Sequence, residues 1–127
     1  MKESDLSRAL VKVLRAGMPD GVVFKHADTI TAGIPDISVT WHGVTSWLEI
    51  KHAHPSIIDR GIQALTLKQL GAAGRAHYVI YYETKTLGKR TIVCVPYDVR
   101  AYELKDLPFT EGFDHVYVLN AVKRIHQ

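Results

Sequence analysis

Apolar and polar residues recur along this chain with two different periods. From Ser4 to Ala16 the apolar residues Leu6, Ala9, Leu10, Val13 and Leu14 follow helical spacing, which predicts an amphipathic helix. Gly17 closes it and Pro19 stands just beyond. Gly21 to His26, with Val22-Val23-Phe24 at its centre, predicts a short strand, and Asp28 to Gly33 a loop. Gly33 to Lys51 carries the cleanest alternation: Ile37, Val39 and Trp41 on one face, Asp36, Ser38 and Thr40 on the other. After His42-Gly43, a two-residue hairpin turn, Leu48 and Ile50 alternate with Glu49 and Lys51. Ser56 to Ala73 carries two apolar stripes and predicts a second, largely buried helix. Arg75 to Tyr82 and Thr91 to Val95 predict two strands joined by a basic turn, Thr84 to Arg90. Pro96 to Leu104 reads as a short helix and Phe113 to Leu119 as a last strand. Lys123, Arg124 and His126 read as a mobile basic tail.

The two-residue turn fixes a register. If Trp41 pairs with Val44, partner numbers sum to 85, so Ile37 faces Leu48 and Asp36 faces Glu49. Directly opposed residues have Cβ atoms roughly 4.5–5.5 Å apart, and like charges so placed repel. A divalent cation between them is the simplest neutraliser. Lys51 lies two residues beyond Glu49 and shares its face. Two carboxylates and an ammonium side by side suit metal-assisted hydrolysis of a phosphodiester. Mg²⁺ takes hard oxygen ligands and keeps several waters. It acidifies a bound water, which a neighbouring lysine can orient. The same three residues are also what a salt-bridged, solvated hairpin surface would show.

Composition narrows the alternatives. A chain of 127 residues suits a single domain spanning 1–127. No apolar run approaches the ~20 residues of a membrane span, and the polar start, MKESDLSRAL, does not read as a signal peptide. Cys94, the sole cysteine, excludes an internal disulfide and suits a reducing, cytoplasmic setting. A net charge of +3 permits a phosphate partner without demanding one. His52 and His54 have no cysteine or clustered third histidine beside them, so zinc is not expected. There is no Gly-rich phosphate loop and no nucleophile elbow.

The pattern Gly33-x-Pro35-Asp36, twelve intervening residues, then Glu49-x-Lys51 resembles the PD-(D/E)xK nuclease superfamily. Within it the chain is most similar to the virus-type replication–repair nuclease (VRR-NUC) domain, over most of Met1 to Glu83. The resemblance implies an α/β fold, a restriction-endonuclease-like core with a central mixed β-sheet flanked by helices in the order αβββαβ. It implies a Mg²⁺- or Mn²⁺-dependent DNA endonuclease. Asp36 and Glu49 would bind the metal, assisted by the Ile50 carbonyl, and Lys51 would handle the attacking water. A glutamate near the start of the first helix, matched by Glu3, is implied as a further metal-site residue. A glutamine on the second helix is implied too: Gln63 by its spacing from Gly74, with Gln69 as its rival. Small stand-alone domains of this kind resemble structure-selective nucleases acting on branched DNA such as four-way junctions. Such substrates suit a homodimer, in a bacterial or phage-infected cell.

Positive residues around this centre are candidate DNA contacts: Lys25 before the motif loop, His52 after it, and Lys85, Lys89 and Arg90 at the basic turn. His26, beside Lys25, could also reach a DNA phosphate, but the favoured reading is a solvated strand end. Two other classes remain open from sequence: a non-catalytic DNA-binding module that keeps the fold, and a structural protein whose acids are only surface charges.

Overall fold

The computed structural model describes residues 3–26, 36–52, 76–84, 88–94 and 107–126. Six strands form one sheet in sequential order. They are β1 (Val22–Lys25), β2 (Ile37–Trp41), β3 (Val44–His52), β4 (Ala76–Thr84), β5 (Gly88–Cys94) and β6 (Thr110–Glu111). Helix α1 (Glu3–Gly17) precedes the sheet and helix α2 (His115–Ile125) follows it. All neighbouring strands are antiparallel except β3 and β4, which are parallel. The sheet is therefore mixed and the fold α/β. A parallel pair needs a crossover connection rather than a hairpin. The predicted second helix, Ser56 to Ala73, falls in that connection and lies outside the described residues, as do the motif loop through Pro35 and the predicted helix at Pro96 to Leu104.

The hairpin follows the register that its turn dictates: Trp41 pairs with Val44, Thr40 with Thr45 and Ile37 with Leu48. His42 (φ 54°) and Gly43 (φ 74°) both adopt left-handed backbone, as a type I′ turn requires. Histidine tolerates this region better than most side chains, and here its ring packs 4.1 Å from that of Trp41.

One sheet face is covered by the helices. Leu6, Leu10 and Leu14 of α1 are wholly buried against Val23, Ile37, Val39, Leu48, Ile50 and Val79. Val118 and Val122 of α2 join the same cluster. The helices approach closely because Gly17 has no side chain: a Cβ there would lie 2.5 Å from Leu119. On the opposite face Ala76, Tyr78, Ile80, Tyr82 and Ile92 form a second buried cluster, with Trp47 and Leu107 packed on it.

The chain end departs from its sequence reading. Phe113 to Leu119 is not a strand, because Asp114 caps a helix there: its carboxylate accepts from the Tyr117 amide at 3.1 Å. Val118, Ala121 and Val122 then fall on one buried face. His126 is no mobile tail either. It is buried, and its ring bonds Ser46 Oγ at 2.8 Å and the Trp41 carbonyl at 3.2 Å. Strand β5 also begins earlier than Thr91, which takes Lys89 and Arg90 out of the turn and into the ladder.

The sheet edges are short. At β1, the amide and carbonyl of His26, two residues past Phe24, belong to the β2 side, since His26 N–H donates to the Asp36 carbonyl at 2.7 Å. By alternation Val23 turns to the free edge. There the Arg15 guanidinium covers its carbonyl through two hydrogen bonds, 3.2 and 2.9 Å long. A capped edge resists pairing with another strand.

Candidate metal and phosphate site

Asp36 stands at the bend just before β2. Its carbonyl ties it to β1 through His26, and its carboxylate reaches the other way. Oδ2 accepts from the Ile50 amide at 2.8 Å. Continued past Ile37 and Leu48, the ladder sets Asp36 beside Glu49; the side chain then extends one residue further and docks on the backbone between Glu49 and Lys51. The expected neighbourhood of the two acids is therefore present.

Glu49 is 2% exposed. Leu48 and Ile50 on either side enter the helix-covered core, so alternation turns Glu49 to the opposite face. Lys51, two residues on, shares that face and is half-buried. The group thus holds two carboxylates and one ammonium, with one carboxylate deep in the protein. Burying a carboxylate costs several kcal/mol, roughly, unless charges and hydrogen bonds compensate.

The donor set can be tested against a divalent metal. A strand residue aims its N–H and C=O at the same edge. The Ile50 amide donates to Asp36, so the Ile50 carbonyl also turns to the β2 side. Asp36 has one oxygen engaged by an amide and keeps coordinating capacity on its carboxylate. Two carboxylates and a carbonyl are hard oxygen donors of the kind Mg²⁺ and Mn²⁺ accept alongside water and substrate phosphate. Among the described residues no group of three or more His, Cys, Asp or Glu side chains is arranged to hold a metal. A divalent ion held by these donors would complete its shell with water and phosphate oxygens.

The remaining candidate residues divide by position. Glu3 is the first residue of α1. His52 ends β3 and pairs with Tyr81. Gln63, Gln69 and Lys85 lie outside the described residues. Lys25 is exposed and shares its parity with buried Val23, which sets it on the helix-covered face, away from Glu49 and Lys51. Lys89 and Arg90 are consecutive in β5 and so project to opposite faces. Arg90 pairs with Tyr82 and shares the acidic group's face. Its guanidinium lies 3.8 Å over the Phe109 ring, a cation–π contact. Lys89 instead lines a shallow pocket with Gly88, Glu111 and Gly112.

Ser38 and Trp47, near the acids, escape the sequence reading, and His26 departs from its favoured one. His26 is half-buried rather than a solvated strand end. Its Nε2 lies 2.7 Å from Ser38 Oγ and its ring 5.3 Å from that of Trp47. Ser38 is 6% exposed and pairs with both Phe24 and Trp47. The one available signal is Ser38, a polar residue on the same alternation as Asp36.

Comparison of the sequence with protein-family models finds no match, and comparison with curated proteins finds none either.

Proposed function

We propose that this chain is a divalent-metal-dependent DNA endonuclease of the PD-(D/E)xK type. The observation that carries the reading is the Asp36 carboxylate docked on the Ile50 amide, between buried Glu49 and Lys51. A surface hairpin has no need to bury a glutamate beside a second acid. A bound Mg²⁺ or Mn²⁺ would activate a water and stabilise charge developing on the phosphate. Asp36, Glu49 and the Ile50 carbonyl would hold that ion. The Ile50 amide keeps Asp36 from swinging away when no ion is present. Lys51 would orient the water or the phosphate oxygen it attacks. Arg90, pressed on Phe109, offers a pre-oriented guanidinium for the DNA backbone on the same face.

Branched DNA as substrate and a homodimer as working form are parts of the same proposal. They rest on the resemblance of the Asp36…Glu49-x-Lys51 pattern. Because Arg15 covers the free edge of β1, such a dimer would use a surface other than that edge. The test is a panel of linear, flapped and four-way DNA incubated with Mg²⁺, Mn²⁺ or chelator. Metal-dependent strand cleavage is expected, and Lys51→Ala should remove it while leaving the fold intact. Full activity in that variant, or cleavage in chelator, would refute the assignment. Light scattering with and without DNA tests the dimer.

A further inference from the structure

We infer that His26 is a phosphate-contacting residue of this site, held in place by Ser38. The inference deepens the nuclease reading and rests on it. His26 is tied to Asp36 by backbone: its amide donates to the Asp36 carbonyl at 2.7 Å. As the direct cross-strand neighbour of Asp36, its Cβ stands about one strand spacing from that of the acid. Alternation sets both on the face of Glu49 and Lys51. The ring is fixed from two sides, by the 2.7 Å contact of Nε2 with Ser38 Oγ and by the Trp47 ring at 5.3 Å. Ser38 is itself nearly buried, so this is a constrained imidazole rather than a freely rotating one.

The chemistry of the acidic pair supplies the reason for it. Two carboxylates repel a polyanion except where a bound cation would neutralise them. The phosphates on either side of the scissile one need donors of their own. Lys51 lies on the β3 side of Asp36, and His26 on the β1 side. A backbone crossing the sheet over Asp36 therefore meets a nitrogen donor on each flank. Ser38 uses one ring nitrogen, and an imidazole has a second to offer an anionic oxygen. A purely structural histidine would be explained by Ser38 and Trp47 alone, so the test must read contact with a phosphate.

The experiment measures binding of fluorescein-labelled four-way DNA in Ca²⁺, which supports binding without turnover. Single neutral methylphosphonate linkages are placed one at a time on either side of the cleavage point. At one linkage, wild type is expected to lose about tenfold to a hundredfold in affinity, the range for a hydrogen bond to a charged group. His26→Ala should bind unmodified DNA weaker by a similar factor and be insensitive to the methylphosphonate at that same linkage. Ser38→Ala, which only releases the ring, should show a smaller loss at that linkage. Mn²⁺ binding by calorimetry should be unchanged in both. If every linkage costs His26→Ala what it costs wild type, the contact does not exist and the inference falls while the nuclease reading stands. If wild type binds no DNA, both fall together. Should His26→Ala not fold, Ser38→Ala carries the same test, and an unchanged linkage profile there overturns the inference.

Discussion

The two faces of the sheet treat buried polar groups in opposite ways. On the helix-covered face, His126 sits against Ser46 and the Trp41 carbonyl. A carbonyl only accepts, so Nδ1 donates to it, while Nε2 pairs with the Ser46 hydroxyl. Both ring nitrogens are used. It fastens the end of α2 to the β2–β3 hairpin across about 80 residues of sequence. On the other face, Asp36 and Glu49 bring like charges together, with Lys51 beside them. The first arrangement explains itself by the stability it supplies. On the proposed reading, the second is explained by what it would bind. If that contrast holds, substitutions on one face should cost stability without activity, and on the other activity without stability.

The largest effect is expected at the acidic group. Lys51→Ala should lower the metal-dependent cleavage rate by about 10²–10⁴-fold, the usual range for a residue that positions or transfers a proton. Its thermal midpoint should stay near that of wild type. Glu49→Gln should be equally inactive. It keeps the side-chain shape, so the variant should fold with the circular dichroism spectrum of wild type. Mn²⁺ at about a hundred times its dissociation constant should stabilise wild type by about 2.7 kcal/mol. The same Mn²⁺ should leave Glu49→Gln unmoved. A Glu49→Gln protein that is strongly destabilised and still stabilised by Mn²⁺ would erase the contrast between the faces.

The His126–Ser46 cluster predicts the reverse. Ser46→Ala leaves a buried ring nitrogen without its partner and should cost about 1–3 kcal/mol, a few degrees in thermal midpoint. Cleavage per folded molecule should not change. Arg15→Ala is smaller still, about 0.5–1.5 kcal/mol for the lost hydrogen bonding to Val23. Its distinguishing sign is self-association of the uncovered β1 edge, measured by sedimentation.

The same contrast shows what can be read from sequence. The acidic group is legible because a two-residue turn at His42-Gly43 propagates one register through ten residues, Ile37–Trp41 with Val44–Leu48. Once that turn is recognised, the neighbourhood of Asp36 and Glu49 follows by arithmetic. Helix α1 is legible through its leucine spacing. The His126–Ser46 cluster is hidden because it depends on α2, whose Val116, Tyr117 and Val118 carry strand propensity. The Asp114 cap and the burial of Val118, Ala121 and Val122 override that propensity. Contact between His126 and Ser46 is then a matter of helix docking, which local pattern does not encode. His26 is hidden for a related reason. Its partner Ser38 is set by the β1–β2 register, and those strands are separated by residues 26–36, too long a connection to fix pairing. Lys89 and Arg90 look like one basic tip in the sequence, and the earlier start of β5 sends them to opposite faces.

The smallest expected effect comes from His77, and it sharpens the comparison through pH. His77 pairs with Leu48 on the helix-covered face, and its Nδ1 is buried without a hydrogen-bond partner. Burial, with a smaller contribution from His126, pushes its pKa below the ordinary 6.5. The folded protein therefore binds fewer protons than the unfolded chain once pH drops below that value. Stability that is complete above about pH 6.5 should decline as pH falls through the window beneath it. Thermal midpoints recorded between about pH 7.5 and 5.5 should slope downward on the acid side in wild type. His77→Leu, which cannot take up the proton, should give a flatter profile over that window. An unchanged slope in His77→Leu would move the pH sensitivity away from His77 and onto another group, and the division of labour between the two faces would need a different physical basis.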